Sequence, residues 1–390
     1  MTTEKQTKKL KLLIATDSFL PRWDGIARFL NEMIPRLVKQ YDITVIAPKF
    51  GKYDSQGFNL IQIPLSKLKL GDYTTAKLKA GLIKKEVKKA DLVFTQTIGP
   101  IGTLTLIYAK RNRIPSASFV HCIEWELVPM ASKSALLRRI SYPITKFLTR
   151  VIYNKANLII VPSESISEVM TWEKIYPKKQ VVHLGVDCTL FKPLIERTEK
   201  EQQEIIEMKE ALNLNNNFVI GNHGRIAHEK DLYTLMRAFI RFKKTYDDSK
   251  LVIIGDGVEE IKNKLKGVPG IILLGAQDNV QNYLTMFDIY VTSSLTETTS
   301  LATLEAMASG LPVISTPVGF IKEYIHDNNN GLIYNQKNTY ALYQKLDLLK
   351  KNNSLAKILG GRARKTVLKE FTWEHTAQGI EDALSSLENL

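Results

Sequence analysis

The chain has 390 residues, enough for two hydrophobic cores and more than one core of ordinary size would hold. Its 44% hydrophobic and 24% charged residues are those of a folded globular protein, and no run of about 18 apolar residues offers a transmembrane helix. The net charge of +14 is lopsided: residues 1–190 carry 30 Lys and Arg against 15 Asp and Glu, while the remainder carries 24 against 25. An excess of that kind points to an anionic surface or substrate for the first half.

Residues 1–11 lack the long apolar region and cleavage site of a secretory leader, so the cytoplasm is the expected location. Lys11-Leu-Leu-Ile-Ala and Ile43-Thr-Val-Ile-Ala read as buried strands around a helical pattern over about 25–40. Between the first strand and that helix lies Pro21-Arg-Trp-Asp24-Gly25-Ile-Ala-Arg28. Gly25 would permit close backbone approach, and the helix N-terminus would face an anion. Asp91-Leu-Val-Phe-Thr, Ser116-Ala-Ser-Phe-Val and Asn157-Leu-Ile-Ile-Val-Pro continue with short strands. His121 closes the second of these and is followed by Cys-Ile-Glu124-Trp125-Glu126. An aromatic ring between two carboxylates would suit a sugar.

From 131 to 152, Leu136, Leu137, Ile140, Ile144, Phe147, Leu148 and Val151 share one helical face, with Arg138, Arg139, Lys146 and Arg150 on the other. A basic amphipathic helix suits anionic lipid, whereas an ordinary core helix with a solvated back would bury the same apolar stripe. Pro143 is expected to kink or split it. The two cysteines, Cys122 and Cys188, form neither a disulfide framework nor a metal-binding pair.

A boundary falls near 187–217, and the strand pattern restarts at Phe218-Val-Ile-Gly. It continues through Leu251-Val-Ile-Ile-Gly, Ile271-Ile-Leu-Leu-Gly, Ile289-Tyr-Val-Thr and Pro312-Val-Ile-Ser. Strands of this kind alternating with helices imply α/β architecture, with parallel sheets covered on both faces. Three loops follow these strands. The first, Gly221-Asn-His-Gly-Arg225-Ile-Ala-His-Glu-Lys230-Asp231, carries a guanidinium for bidentate phosphate contact and an ammonium as a point charge. The second is the turn Gly255-Asp-Gly257, and the third, Gly275-Ala-Gln277-Asp278, closes the next strand.

The densest signal is Glu297-Thr-Thr-Ser-Leu-Ala-Thr-Leu-Glu305-Ala-Met-Ala-Ser-Gly-Leu-Pro-Val. Glu297 lies where a strand passes to a helix predicted over about 300–309. Glu305 lies two turns into that helix. The first N–H groups of the helix suit an anionic ligand. The surrounding Leu301, Leu304, Ala306, Met307 and Ala308 demand a partner for so apolar a carboxylate.

This segment resembles glycosyltransferase family 4, retaining enzymes of the GT-B fold, whose pattern is Glu-x7-Glu followed by Ala-Met-Ala-x-Gly-x-Pro-Val. The resemblance covers nearly the whole chain and is strongest over 218–320. It implies two Rossmann-like parallel-sheet domains facing a cleft: an acceptor domain over 1–190, a nucleotide-sugar domain over 191–370, and a helix over 371–390 crossing back to the first. It implies that Arg225 and Lys230 hold the donor pyrophosphate, helped by Thr298, Thr299, Ser300 and Leu301 at the helix mouth, while Gly25 would meet the donor phosphate or the acceptor. Glu305 would take the ribose, Gly255 would border the nucleotide, and the backbone of the loop around Gln277 would read the base. Glu297 and His121 would engage the transferred sugar at the reaction centre.

Two departures stand out: Thr298-Thr299-Ser300 where many members have Gly-Phe-Gly, and Asp231 where Gly is common. The expected activity is retaining, metal-independent hexosyl transfer, of glucose or mannose type, from a UDP- or GDP-sugar that is substrate rather than cofactor. The acceptor would be a lipid or lipid-linked glycan, reached by peripheral contact with the inner face of the cell membrane. A GT-B epimerase or a sugar phosphorylase is the rival within enzymes. A basic protein that binds nucleic acid or membrane without catalysis is the rival outside them. No GxGxxG with a downstream acid supports a nicotinamide cofactor, and no motif that reads nucleic acid occurs, so no nucleic-acid partner is expected.

Overall fold

The computed structural model describes residues 9–22, 24–70, 73–130 and 134–388. The opening residues 1–8, and residues 131–133 of the amphipathic stretch, lie outside the described residues. The chain divides into two compact units, one formed by 1–183 with 376–390 and the other by Leu184–His375.

The first unit contains β1 (Lys11–Ala15), β2 (Asp42–Pro48), β3 (Asn59–Ile63), β4 (Leu65–Leu70), β5 (Tyr73–Ala76), β6 (Leu92–Thr95), β7 (Ser116–Phe119), β8 (Leu158–Val161) and β9 (Lys178–Val181). Seven of these form a parallel sheet in the order β3-β2-β1-β6-β7-β8-β9, and β4 and β5 make a separate antiparallel pair. Strands β6, β7 and β8 are buried throughout, which is why they read as unbroken apolar or small-residue runs rather than alternating ones. One face packs on Leu13, Ile46, Ile83 and Ile101, and another cluster gathers Leu106, Trp125, Tyr153 and Ile159. Residues 376–390 complete this unit: Thr376 donates to the His183 carbonyl at 2.8 Å, and Gln40 donates to Glu381 at 2.7 Å.

The second unit contains β10 (Phe218–His223), β11 (Ser249–Ile254), β12 (Ile271–Leu273), β13 (Ile289–Thr292), β14 (Val313–Ser315) and β15 (Leu332–Ile333). They form one parallel sheet in the order β12-β11-β10-β13-β14-β15. β10 and β13 are adjacent and central, yet joined through different crossovers. The connections leaving them therefore run to opposite sides of the sheet, and their carboxyl ends flank the crevice where α/β sheets bind ligands. The charged helix expected over about 196–212 runs from Glu199 to Ala211, opened by a capping box between Thr198 and Glu201.

Candidate active site

In the second unit the loops after β10, β11 and β12 are laced together. Gly224 N–H donates to the Ile254 carbonyl at 2.9 Å, and Gly255 N–H to the Gly275 carbonyl at 2.7 Å. Gly255 has φ of +136°, and a Cβ there would stand 1.9 Å from the Gly224 carbonyl oxygen. Only glycine meets both demands. Gln277 spends its side chain on its own loop and the next helix, donating to the Leu274 carbonyl at 2.8 Å and accepting from the Tyr283 hydroxyl at 3.0 Å.

The loop after β10 turns into a short 3₁₀ segment, His228–Lys230. Asp231 follows with φ of +44° and caps the helix Leu232–Thr245 through Thr234. That left-handed backbone explains why glycine is common at this position; Asp is among the few other residues that tolerate it. Arg225 is largely exposed and pairs with Glu229 at 2.5 Å. Lys230 reaches across to the β13 loop and meets Glu297 at 2.6 Å. Ser294 also donates to Glu297, at 2.7 Å. The Glu297 side chain is only 9% exposed, so the ammonium and the hydroxyl are what make its burial tolerable.

The predicted helix after this loop runs from Leu301 to Ala308. No side chain caps its N-terminus and no acidic residue stands in its first turn. Ser300 bonds instead to the Thr303 hydroxyl at 2.8 Å, and the Thr299 hydroxyl oxygen is buried without a partner. Thr298 lies in the same loop. Glu305 is buried at 4% exposure, as its apolar neighbours required. Its partner is His223, whose Nε2 lies 2.7 Å from Glu305 Oε2. Sequence reading missed His223. The available signal was a histidine ending an apolar strand directly before Gly-Arg. Tyr290 lies beneath the same site: its hydroxyl donates to the His223 carbonyl at 3.3 Å. Burial first, then the nearby charges of Glu297 and Glu305, push that phenol well above its usual range.

In the first unit, Gly25 is the first residue of the helix Gly25–Leu37. The anion expected there is already supplied by the chain. Asp24 accepts from Ile26 N–H and Ala27 N–H, both at 3.0 Å, and receives a further bond from Ser18. A Cβ on Gly25 would meet nothing within 4 Å, so no close approach within this unit requires glycine. The neighbouring helix, Pro100–Asn112, is opened likewise by buried Asp17, which accepts from Ile101 N–H at 2.8 Å and Gly102 N–H at 3.1 Å.

His121 packs edge-on to Phe29 and tilted on Phe119, with ring centroids 5.0 and 4.5 Å away. Its Nε2 lies 3.0 Å from Gln96 Oε1. Burial lowers its pKa to about 3, so the ring is neutral at physiological pH. The sugar platform expected of residues 124–126 is overturned. Trp125 is 2% exposed and belongs to the core around Tyr153. Glu124 is turned inward, accepts from the Tyr153 hydroxyl at 2.5 Å, and has its Oε2 buried without a partner. Burial raises its pKa to about 7.

The amphipathic stretch over 131–152 falls in the helix Ala135–Tyr153, which follows the short helix Glu124–Met130. Pro143 neither splits nor ends the second, which runs unbroken for 19 residues. Only Thr149 and Tyr153 of that helix are buried. Leu136, Leu137, Ile144 and Phe147 are each more than half exposed, so the core-helix alternative does not hold. Among the described residues no helix is long and apolar enough to cross a membrane.

Residues 203–366 match the family model for glycosyl transferases group 1, and residues 23–190 match that for glycosyltransferase family 4. The chain belongs to the family 4, group 1 glycosyltransferases. Similar to this glycosyltransferase is the alpha-monoglucosyldiacylglycerol synthase of Acholeplasma laidlawii, 27% identical over 84% of this chain and 85% of that protein. Its counterpart from Streptococcus pneumoniae is 25% identical over 83% and 75%. A GDP-mannose-dependent phosphatidylinositol monomannoside mannosyltransferase of Mycobacterium tuberculosis is 22% identical over 96% and 98%. Among solved structures, Anabaena HepE in complex with UDP and glucose superposes with a TM-score of 0.76 at 18% identity, covering 97% of this chain and all of that one. The glycosyltransferase thus has the GT-B fold. Enzymes of this group act on nucleotide-sugar donors without a metal.

Proposed function

We propose that the enzyme transfers a hexose, with retention, from a UDP- or GDP-sugar to a lipid acceptor at a membrane surface. The observation that carries the acceptor class is the helix Ala135–Tyr153, which holds an uncovered apolar stripe beside Arg139 and Arg150. A lipid surface would bury the stripe and neutralise the cations. The similarity to synthases and transferases named for diacylglycerol and phosphatidylinositol glycolipids supports the same reading.

On the donor side, the helix mouth at Thr299 and Ser300 presents N–H groups that no acidic side chain neutralises. Arg225 and Lys230, exchanging Glu229 and Glu297 for phosphate oxygens, would stabilise the leaving diphosphate electrostatically. Glu305 accepts from the ribose hydroxyls, and Glu297 from hydroxyls of the sugar. His121, kept neutral by burial, acts through hydrogen bonds rather than charge. Donating Nε2–H to Gln96 leaves Nδ1 as the acceptor for a hydroxyl.

A thermal-shift panel of UDP, GDP, ADP and their sugar conjugates, with and without EDTA, tests the donor site. One base should raise the midpoint selectively and without regard to chelator, because a ligand that binds only the folded state stabilises it. No shift with any nucleotide at millimolar concentration refutes the donor site.

A further inference from the structure

The pair His223 and Glu305 joins residues 82 positions apart, and both are almost wholly buried, at 9% and 4% exposure. His223 ends β10, which is paired on both sides, by β11 and β13. Its ring stands edge-on to Tyr290 at 5.4 Å, and its carbonyl accepts the Tyr290 hydroxyl. Its Nδ1 is buried with no hydrogen-bond partner, so the ring's one polar engagement is Glu305 Oε2, at 2.7 Å. A histidine so confined, bonded to one carboxylate oxygen, fixes that carboxylate's rotamer. An ionised carboxylate offers two oxygens and about four acceptor sites, so one imidazole bond leaves capacity for a vicinal diol.

We propose that His223 is a positioning residue for the donor ribose, aiming Glu305 at the 2′ and 3′ hydroxyls. This rests on the assignment of Glu305 to the ribose made above. A pair serving the fold alone would affect every nucleotide equally, whereas a positioning residue affects only those bearing the hydroxyls. The experiment measures affinity of the full chain for the diphosphate the native protein prefers, UDP or GDP, and for its 2′,3′-dideoxy form.

His223→Leu should weaken the ribonucleotide about ten-fold, the scale of one charge-assisted hydrogen bond, and leave the dideoxy form unchanged. His223→Gln keeps a donor amide near Glu305 and should restore most of the loss, with the donor's KM moving more than kcat. Should His223→Leu not fold, His223→Gln against the shorter His223→Asn makes the same comparison. Equal losses for both nucleotides, or none, overturn the proposal. Glu305→Ala separates this from failure of the underlying assignment. If it weakens both nucleotides equally, or neither, the ribose site itself is refuted. If it weakens the ribonucleotide selectively and the His223 variants do not, only the role of His223 falls.

Discussion

Truncating Lys230 to Ala separates what this side chain does for the fold from what it does for the donor. The variant leaves Glu297, 9% exposed, with Ser294 as its remaining hydrogen-bonding partner of the two. Removing one member of a fully buried ion pair costs roughly 3–5 kcal/mol, and of an exposed pair about 0–1 kcal/mol. Lys230 is 26% exposed, so a loss of about 2 kcal/mol is expected. For a domain the size of Leu184–His375 that lowers Tm by about 4–8 °C. Adding Glu297→Gln removes the stranded charge, so the double variant should recover most of the stability. It should not recover turnover, because the phosphate contact is still missing and the Glu297 carboxylate is gone as well. Calorimetry supplies Tm, and release of nucleotide diphosphate from the sugar donor supplies turnover. An unchanged Tm for Lys230→Ala, or no recovery in the double variant, refutes the ion-pair reasoning. Turnover near the native rate in both refutes the phosphate role.

The pH dependence of Glu124 has a definite sign. Its folded pKa of about 7 lies above the usual 4.5, so its contribution to stability is complete below 4.5 and lost as pH rises through about 7. Glu124→Gln should match the native protein at pH 4 and exceed it at pH 8 by up to about 3 kcal/mol in denaturant unfolding. His121 works in the other direction: its contribution is present above 6.5 and lost as pH falls through about 3. Variant and native protein must therefore be compared at each pH. Gly319→Ala should depress turnover and stability together, since φ is +52° and the new Cβ would lie 1.6 Å from the Glu297 carbonyl oxygen. Steady-state kinetics beside a melting curve checks this. Replacing Leu136, Leu137 and Phe147 with Ser should reduce sedimentation with anionic vesicles while leaving Tm within about 2 °C, as expected where no packing is lost. Unchanged sedimentation removes this helix from the membrane reading.

Much of the donor half was legible because its signals are local. Apolar runs gave the strands, and glycines marked turns whose φ is positive. The apolar neighbours of Glu305 foretold that it would be buried with a partner. The partner was not legible: His223 meets Glu305 only because β10 and β13 are neighbours in the sheet, a pairing that no local pattern encodes. The first half misled in instructive ways. Trp125 beside two carboxylates suggests a surface, yet the indole goes to the core and Glu124 turns in toward Tyr153. Pro143 suggests a break, yet the helix absorbs it. Asp24 was passed over beside the more conspicuous Gly25, although it occupies the helix N-terminus itself.

The membership of residues 376–390 in the first unit has a consequence for biogenesis. Ile380, Ala383, Leu384 and Leu387 are buried, and Gln40, Tyr41 and His183 bond to this segment. A ribosome therefore releases the second unit's sequence entire before the first can close its core. Residues 1–183 wait, with an apolar seam unfilled, through the synthesis of nearly 200 further residues. The half of the protein that emerges first is the half that finishes last.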